Sequence, residues 1–157
     1  MSEHCTLINT VQLMFCNSLL IDLPLTHIQY LQSVQNATAR VISNLRRCDH
    51  ITDVLVSLHW LRVPVQITFM VATLMYQALH GSAPPYLASS FTCRRHAAPT
   101  QLDVLTCRQS TIGGRAFPVA GAKVWNSLPN DVTSASSLSL FKNRLKTYLF
   151  RLCYETV

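Results

Sequence analysis

Asp49, His50 and Asp53 set two carboxylates four residues apart around an imidazole, a grouping whose residue types could move protons or hold a cation. The spacing would align both acids on one helix face. Thr52, however, has the chemistry of a helix N-cap, and Asp53 then falls in the first turn, where negative charge suits the helix dipole. Asp49 is left outside that helix, and capping accounts for both acids. The remaining acids, Glu3, Asp22, Asp103, Asp131 and Glu155, are isolated, whereas polymerase and nuclease chemistry needs carboxylates gathered around two metal ions.

Metal ligation is the second chemistry to weigh. Cys93 and His96 in "CRRH" stand at ligand spacing and Cys107 follows, but no fourth Cys or His comes at a motif spacing. His80 or Cys153 would have to fold back to complete the set. There is no G-x-S-x-G and no G-x-x-x-x-G-K-[ST], and the paired glycines 113–114 are too few to cradle phosphate. His59, in "LHWL", fits the core or its rim. No catalytic residue, metal site, cofactor or small-molecule substrate is therefore expected.

The cations are more informative. The chain carries 13 Lys+Arg against 7 Asp+Glu, a formal charge of +6, and no acid lies between Asp53 and Asp103. The charge gathers in three clusters: Arg40, Arg46 and Arg47; Arg94, Arg95, Arg108 and Arg115; and Lys142, Arg144, Lys146 and Arg151. Phosphate-rich polymers are the partners such clusters suit, and RNA or DNA bound without sequence preference is the expectation. If all four cations of the last cluster neutralised phosphates, affinity for duplex would fall with salt at a log–log slope of about −3.6, at about −0.9 per contact.

These side chains need elements to position them. Leu7, Val11, Met14, Phe15 and Leu19 recur at helical spacing through residues 6–21, and "DLP" ends that segment. A second helix is predicted over 25–45, with Ile28, Leu31, Val34 or Gln35, Thr38 and Val41 on one side and Gln29, Gln32, Asn36 and Arg40 elsewhere. A short helix from Thr52 should end near Pro64, which disfavours helical geometry in the residue before it. A longer one from Val65 shows a wide apolar face of Ile67, Met70, Val71, Leu74, Met75 and Ala78, stopped by Gly81 and then Pro84 and Pro85. Residues 88–116 turn to Ser, Thr, Arg, His and Gly, the composition of a basic loop or linker.

In the last third, strand-forming residues on either side of "STIGG" allow a short β-hairpin around 101–125. "VWNSLP" fits a turn and "NDVTSASS" a polar link ending near a serine N-cap. From Leu138 to Phe150 a helix carries the stripe Leu138, Phe141, Leu145, Tyr148 and Leu149, flanked by Lys142 and Lys146 on one side and Arg144 and Arg151 on the other. Such flanking cations can lay their stems on apolar surface and keep their charge in water. The expected fold is thus mainly α, a small helical bundle. Residues 1–87 form one helical region, 88–116 the linker and 117–157 the closing turn and amphipathic helix, within a single domain or fragment.

At 157 residues, 49% hydrophobic and only 13% charged, the chain can bury a core but has few charges for an isolated soluble domain. The apolar run "ITFMVATLMYQAL" is bounded by Arg62, Pro64 and Gln66 before it and Gln77, His80 and Gly81 after it. It falls short of the about 20 residues that a bilayer needs. "MSEHCTLINT" has no basic region of a secretory signal. The six cysteines, at 5, 16, 48, 93, 107 and 153, are expected to be reduced thiols in the cytoplasm or nucleus, without membrane contact.

Six phrases, in order, resemble the C-terminal part of the reverse-transcriptase polyprotein of LINE-type (non-long-terminal-repeat) retrotransposons. They are "FCNSLL" (15–20), "LQSVQNATARVI" (31–42), "DHITDVLVSLHWL" (49–61), "YQALHGSAPPYL" (76–87), "RAFPVAGAKVWNSLP" (115–129) and "SLSLFKNRLKTYLF" (137–150). The resemblance covers most of the chain and implies the thumb and the region beyond the palm of an RNA-directed DNA polymerase. The family's aromatic-Ala-Asp-Asp metal box has no counterpart, since no two aspartates are adjacent, so no catalytic residue carries over. Where the family has "HWLPV" this chain has "HWLRV", Gln66, Met70 and Gln77 replace three cations, and Ala122 stands where proline is frequent.

The resemblance implies a fragment of that polymerase without its catalytic core, with the rest of the polyprotein as a further partner. A rival expectation is a small interaction or scaffold module in which the apolar helix at 65–79 docks on a partner chain and nucleic acid plays no part. An independent enzyme built on Asp49, His50 and Asp53 is the weakest expectation.

Overall fold

The computed structural model describes residues 24–83 and 117–155, and every regular element among them is a helix. They are α1 (Leu25–Ile42), α2 (Thr52–Ser57), α3 (Val63–Leu79), α4 (Phe117–Asn126), α5 (Asn130–Thr133) and α6 (Leu138–Tyr154). The fold is a small, mainly α bundle. The expected helix at 6–21 and the linker at 88–116 lie outside the described residues.

Helix α3 is the centre. It packs against α6, α4 and α1, and the buried residues Ala72, Met75 and Tyr76 join Trp125, Leu128, Phe141, Leu145 and Leu149 in one core. The two described stretches therefore share a single interior. The expected face of α3 is partly displaced: Ile67, Val71 and Met75 are buried but Met70, Leu74 and Ala78 only half so, while Val63, Ala72, Thr73 and Tyr76 are buried because helices cover α3 on several sides. Helix α4 can approach closely because it presents Ala120, Gly121 and Ala122. A Cβ on Gly121 would stand 2.5 Å from the Met75 sulfur, inside van der Waals contact. Glycine in a helix interior costs roughly 0.5–1 kcal/mol relative to alanine, and here that cost makes room for the thioether.

An aromatic column ties three helices. Tyr76 stacks on His80 at 3.8 Å and on Phe141 at 4.5 Å between centroids, and Phe141 stacks on Trp125 at 5.8 Å. The Tyr76 hydroxyl donates to the Ala135 carbonyl at 2.9 Å, so its buried oxygen is satisfied where the chain turns from α5 into α6.

Three helix ends use one device. After α1, α2 and α3 the chain passes through a left-handed residue, Asn44 (φ 55°), His59 (φ 53°) and Gly81 (φ 71°). The next amide then reaches back to the third carbonyl from the helix end: Leu45 to Arg40, Trp60 to Leu55 and Ser82 to Gln77. Gly81 stops α3 as expected. The other two stops correct the sequence boundaries, since α1 ends at Ile42 rather than near Leu45 and α2 ends at Ser57, before Pro64 is reached. Pro64 instead lies in the first turn of α3, where its missing N–H costs nothing, and that helix starts at Val63.

Three further expectations are overturned. Thr52 is the first helical residue of α2, with Ile51 before it and no side-chain cap. The residues 117–125 assigned to a hairpin form α4: Pro118 is accommodated in the first turn, Ala120 and Ala122 favour a helix, and burial of Val119 and Trp125 overrides their strand preference. The half of that hairpin at 101–116 lies outside the described residues. The polar link "NDVTSASS" contains α5, whose Val132 is buried, as is Ala135 after it. Ser137 does cap α6, its hydroxyl accepting from the Leu140 amide at 3.3 Å.

The far end of α6 is fixed to the α2–α3 junction. The Tyr154 hydroxyl donates to the Trp60 carbonyl at 2.6 Å, and the Arg62 guanidinium lies 5.8 Å from its ring centroid. Burial, with the neighbouring Cys153 adding to it, pushes the phenol up to about 12. Folding thus favours the neutral phenol over its ordinary value of about 10. The stabilisation is complete below pH of about 10 and is lost as pH rises from about 10 to about 12. Replacing Tyr154 by Phe should lower stability by about 1 kcal/mol at neutral pH. It should also remove part of the alkaline loss; parallel denaturant melts of the two proteins across that pH window, falling at the same rate, would contradict this.

Candidate nucleic-acid interface

The three basic clusters fare differently. Arg94, Arg95, Arg108 and Arg115 lie outside the described residues. Arg40 sits in the last turn of α1, where a cation suits the helix C-terminus, but it is half-buried and its Nε is enclosed without a hydrogen-bond partner. Arg46 and Arg47 follow in the exposed turn after α1. That turn is held by the residue first weighed as an acid: the Asp49 carboxylate accepts from the Arg46 amide at 2.7 Å. Asp53 stands exposed in the first turn of α2, so of the Asp49–His50–Asp53 group it is Asp49 that holds backbone geometry.

On α6 the core stripe is as expected, with Phe141, Leu145 and Leu149 buried and Leu138 and Tyr148 partly so. The cations around it separate by their partners. Arg144 donates to the Asp131 carbonyl oxygen at 2.6 Å, and its guanidinium lies 3.4 Å from the Asp131 carboxylate. It is tied to α5. Arg151 lies 3.8 Å from Glu155, one turn on, in a pair exposed enough to exchange for another anion at little cost. Lys142 is half-buried and Lys146 is exposed.

Two places are defined by this arrangement. Ala39 of α1, Leu55 of α2, Trp60 and Tyr154 of α6 pack in one small cluster, so the ends of α1 and α6 meet at the same end of the bundle. Arg40 and Arg151 belong to those two ends. Lys142 begins the other part of α6, about 13 Å from Arg151 along the helix at 1.5 Å per residue. Two exposed cations escaped the sequence reading because neither stands in a run: Arg62, beside Tyr154, and Lys123, in the last turn of α4.

Among the described residues no three His, Cys, Asp or Glu side chains gather at metal-binding distance. Cys48 and Cys153 are free thiols. The Cys93, His96 and Cys107 group lies outside the described residues. No helix among the described residues is long and apolar enough to cross a membrane. Comparison with protein-family models, curated proteins and solved structures gave no match for any of the three.

With Arg144 held by Asp131 and Arg151 shared with Glu155, Lys142 and Lys146 are the cations of α6 that have no acidic partner among the described residues. Of the −3.6 expected for four contacts, Arg151 would supply about −0.9 on exchanging Glu155 for phosphate, and the two lysines should contribute about −1.8 to the salt slope for duplex binding. Titrations over a range of salt should show Lys142→Ala with Lys146→Ala flattening the slope by that amount. Arg144→Ala should leave the slope nearly unchanged and lower the melting temperature.

Proposed function

We propose that this chain is a helical unit of the C-terminal, post-palm part of a LINE-type reverse transcriptase. It performs no chemistry of its own and grips RNA or DNA without sequence preference. What supports the reading is the coincidence of the resembling phrases with the positions that build the bundle. "DHITDVLVSLHWL" supplies Leu55, Trp60 and Leu61, "YQALHGSAPPYL" supplies Tyr76 and the Gly81 stop, "VWNSLP" supplies Trp125 and Leu128, and "SLSLFKNRLKTYLF" supplies Phe141, Leu145 and Leu149. A core distributed over phrases in their family order is what descent from such a unit would leave behind.

In this role the nucleic acid meets Arg46, Arg47, Arg62, Lys142, Lys146 and the exchangeable Arg151, while Arg40 and Arg144 serve the fold. The binding is electrostatic, so RNA and DNA of unrelated sequence compete equally and salt releases both. The rest of the polymerase is the second partner, and a cytoplasmic or nuclear setting follows from that assignment. The packing of α1, α4 and α6 on α3 supports this reading over the rival module, in which the apolar helix at 65–79 would dock on a partner chain.

Mobility-shift assays of the purified full chain with single-stranded RNA and duplex DNA, at low salt and then at rising salt, test the proposal. A shift abolished by salt and indifferent to sequence is expected. No shift at the lowest salt, or a slope near zero, overturns the binding role. Separately, reverse-transcriptase codons in the genomic DNA on the 5′ side of Met1 are expected; unrelated sequence there would remove the assignment to that family.

A further inference from the structure

We propose that the α2–α3 junction, backed by the last turns of α6, is a base-stacking platform, so that the nucleic acid this chain grips is a single strand of RNA or DNA; the inference rests on the nucleic-acid reading above. Two planar groups stand exposed at that junction, three residues apart: the imidazole of His59 and the guanidinium of Arg62. Each is backed by a ring of α6. His59 stacks on Phe150 with centroids 6.1 Å apart and 28° between the planes, and the Arg62 guanidinium carbon lies over the Tyr154 ring, 5.8 Å from its centroid. Phe150 and Tyr154 meet at 4.9 Å, one turn apart, so the two stacks adjoin.

Both outer groups are held in place. The bond from the Tyr154 hydroxyl to the Trp60 carbonyl, at 2.6 Å, pins α6 to the chain between His59 and Arg62. His59 has a φ of 53°, in the left-handed region that glycine or asparagine usually fills, and Asn44 and Gly81 do the same work after α1 and α3. Stopping α2 therefore does not call for an imidazole. His59 is exposed, so its packing on Phe150 leaves the ring open to solvent.

The charge pattern selects the occupant. Lys142, Lys146, Phe150 and Tyr154 follow one another at spacings of four, which makes them neighbours along the surface of α6. Lys146 precedes Phe150 by about 6 Å along the helix axis. Cations thus lead into the stacked rings, and the sequence holds no acid between Asp53 and Asp103 to oppose them. A single strand offers phosphates and open base faces together, and the proteins that hold it combine positive charge with side chains on which bases stack. Guanidinium planes serve for stacking as aromatic rings do. A duplex, whose bases are already stacked on one another, would meet the lysines and leave His59 and Arg62 without a base. An acidic peptide would do the same.

Anisotropy titrations of the full chain test this with an unstructured single-stranded oligonucleotide, run as RNA and as DNA, and with an abasic strand of the same length and charge. The base-bearing strand should bind about tenfold more tightly than the abasic one, since stacking commonly contributes about fivefold to a hundredfold per base. His59→Asn keeps a residue that accepts the left-handed φ, and Arg62→Lys keeps the charge while removing the plane. Both variants should melt as the parent does, and each should lose most of the preference for bases while its affinity for the abasic strand and its salt slope stay unchanged. Equal binding of the two strands, both released by salt, would overturn the platform and leave the electrostatic grip standing. A preference that survives both substitutions would place the stacking elsewhere and overturn it as well. Failure of every strand to bind at low salt would remove the platform and the nucleic-acid reading together.

Discussion

The bundle depends on a glutamine clamp that lets α3 begin inside the protein. Leu61 and Val63 are buried, so the carbonyl before α3 and the first amide of that helix lie away from water and need partners. The Val63 amide donates to Gln32 Oε1 at 2.9 Å, and the Leu61 carbonyl accepts from Gln35 Nε2 at 2.9 Å and from Gln66 Nε2 at 2.7 Å. Gln32 also donates to Gln35 and to Asn36, which fixes the orientation of all three amides. A neighbouring helix thereby does for α3 what its own N-cap residue, Arg62, does not.

Because the clamp sets where α3 starts and how α1 crosses it, the packing that follows has little freedom. Met75 and Tyr76 are presented to α4 and α6 in the one register that Gly121 and the aromatic column accept. The Tyr154 hydroxyl then closes the junction from the other side, on the carbonyl of Trp60, one residue before Leu61. Polar contacts here decide position, and the apolar core supplies most of the cohesion.

The clamp also explains which parts of the fold were legible in the sequence. Apolar spacing located α3 and the stripe of α6, because those helices bury hydrophobic faces in the ordinary way. It misjudged α1: spacing cannot choose between Val34 and Gln35, and hydrophobicity alone favours Val34, yet Gln35 is the buried one because its amide serves a backbone carbonyl distant in sequence. Likewise α4, with its Phe, Val and Trp, resembles a strand until Met75 is there to pack on it. For the candidate interface, the sequence shows the cations but not their partners. Neither the tie of Arg144 to Asp131 nor the burial of Arg40 has a local signature, and Arg62 was passed over because it stands alone between apolar neighbours.

The two hydroxyl bonds that close the core, Tyr76 to Ala135 and Tyr154 to Trp60, join residues 59 and 94 positions apart. During synthesis this means that α3 emerges well before two of the helices that cover it, α4 and α6. Its faces toward α4 and α6 wait bare until α6 has been made, and folding is bound to the late, long-range closure rather than to any early local hairpin. Until that closure the nascent chain presents an apolar helix to whatever is near, so chaperone demand should be concentrated in the interval between the two stretches.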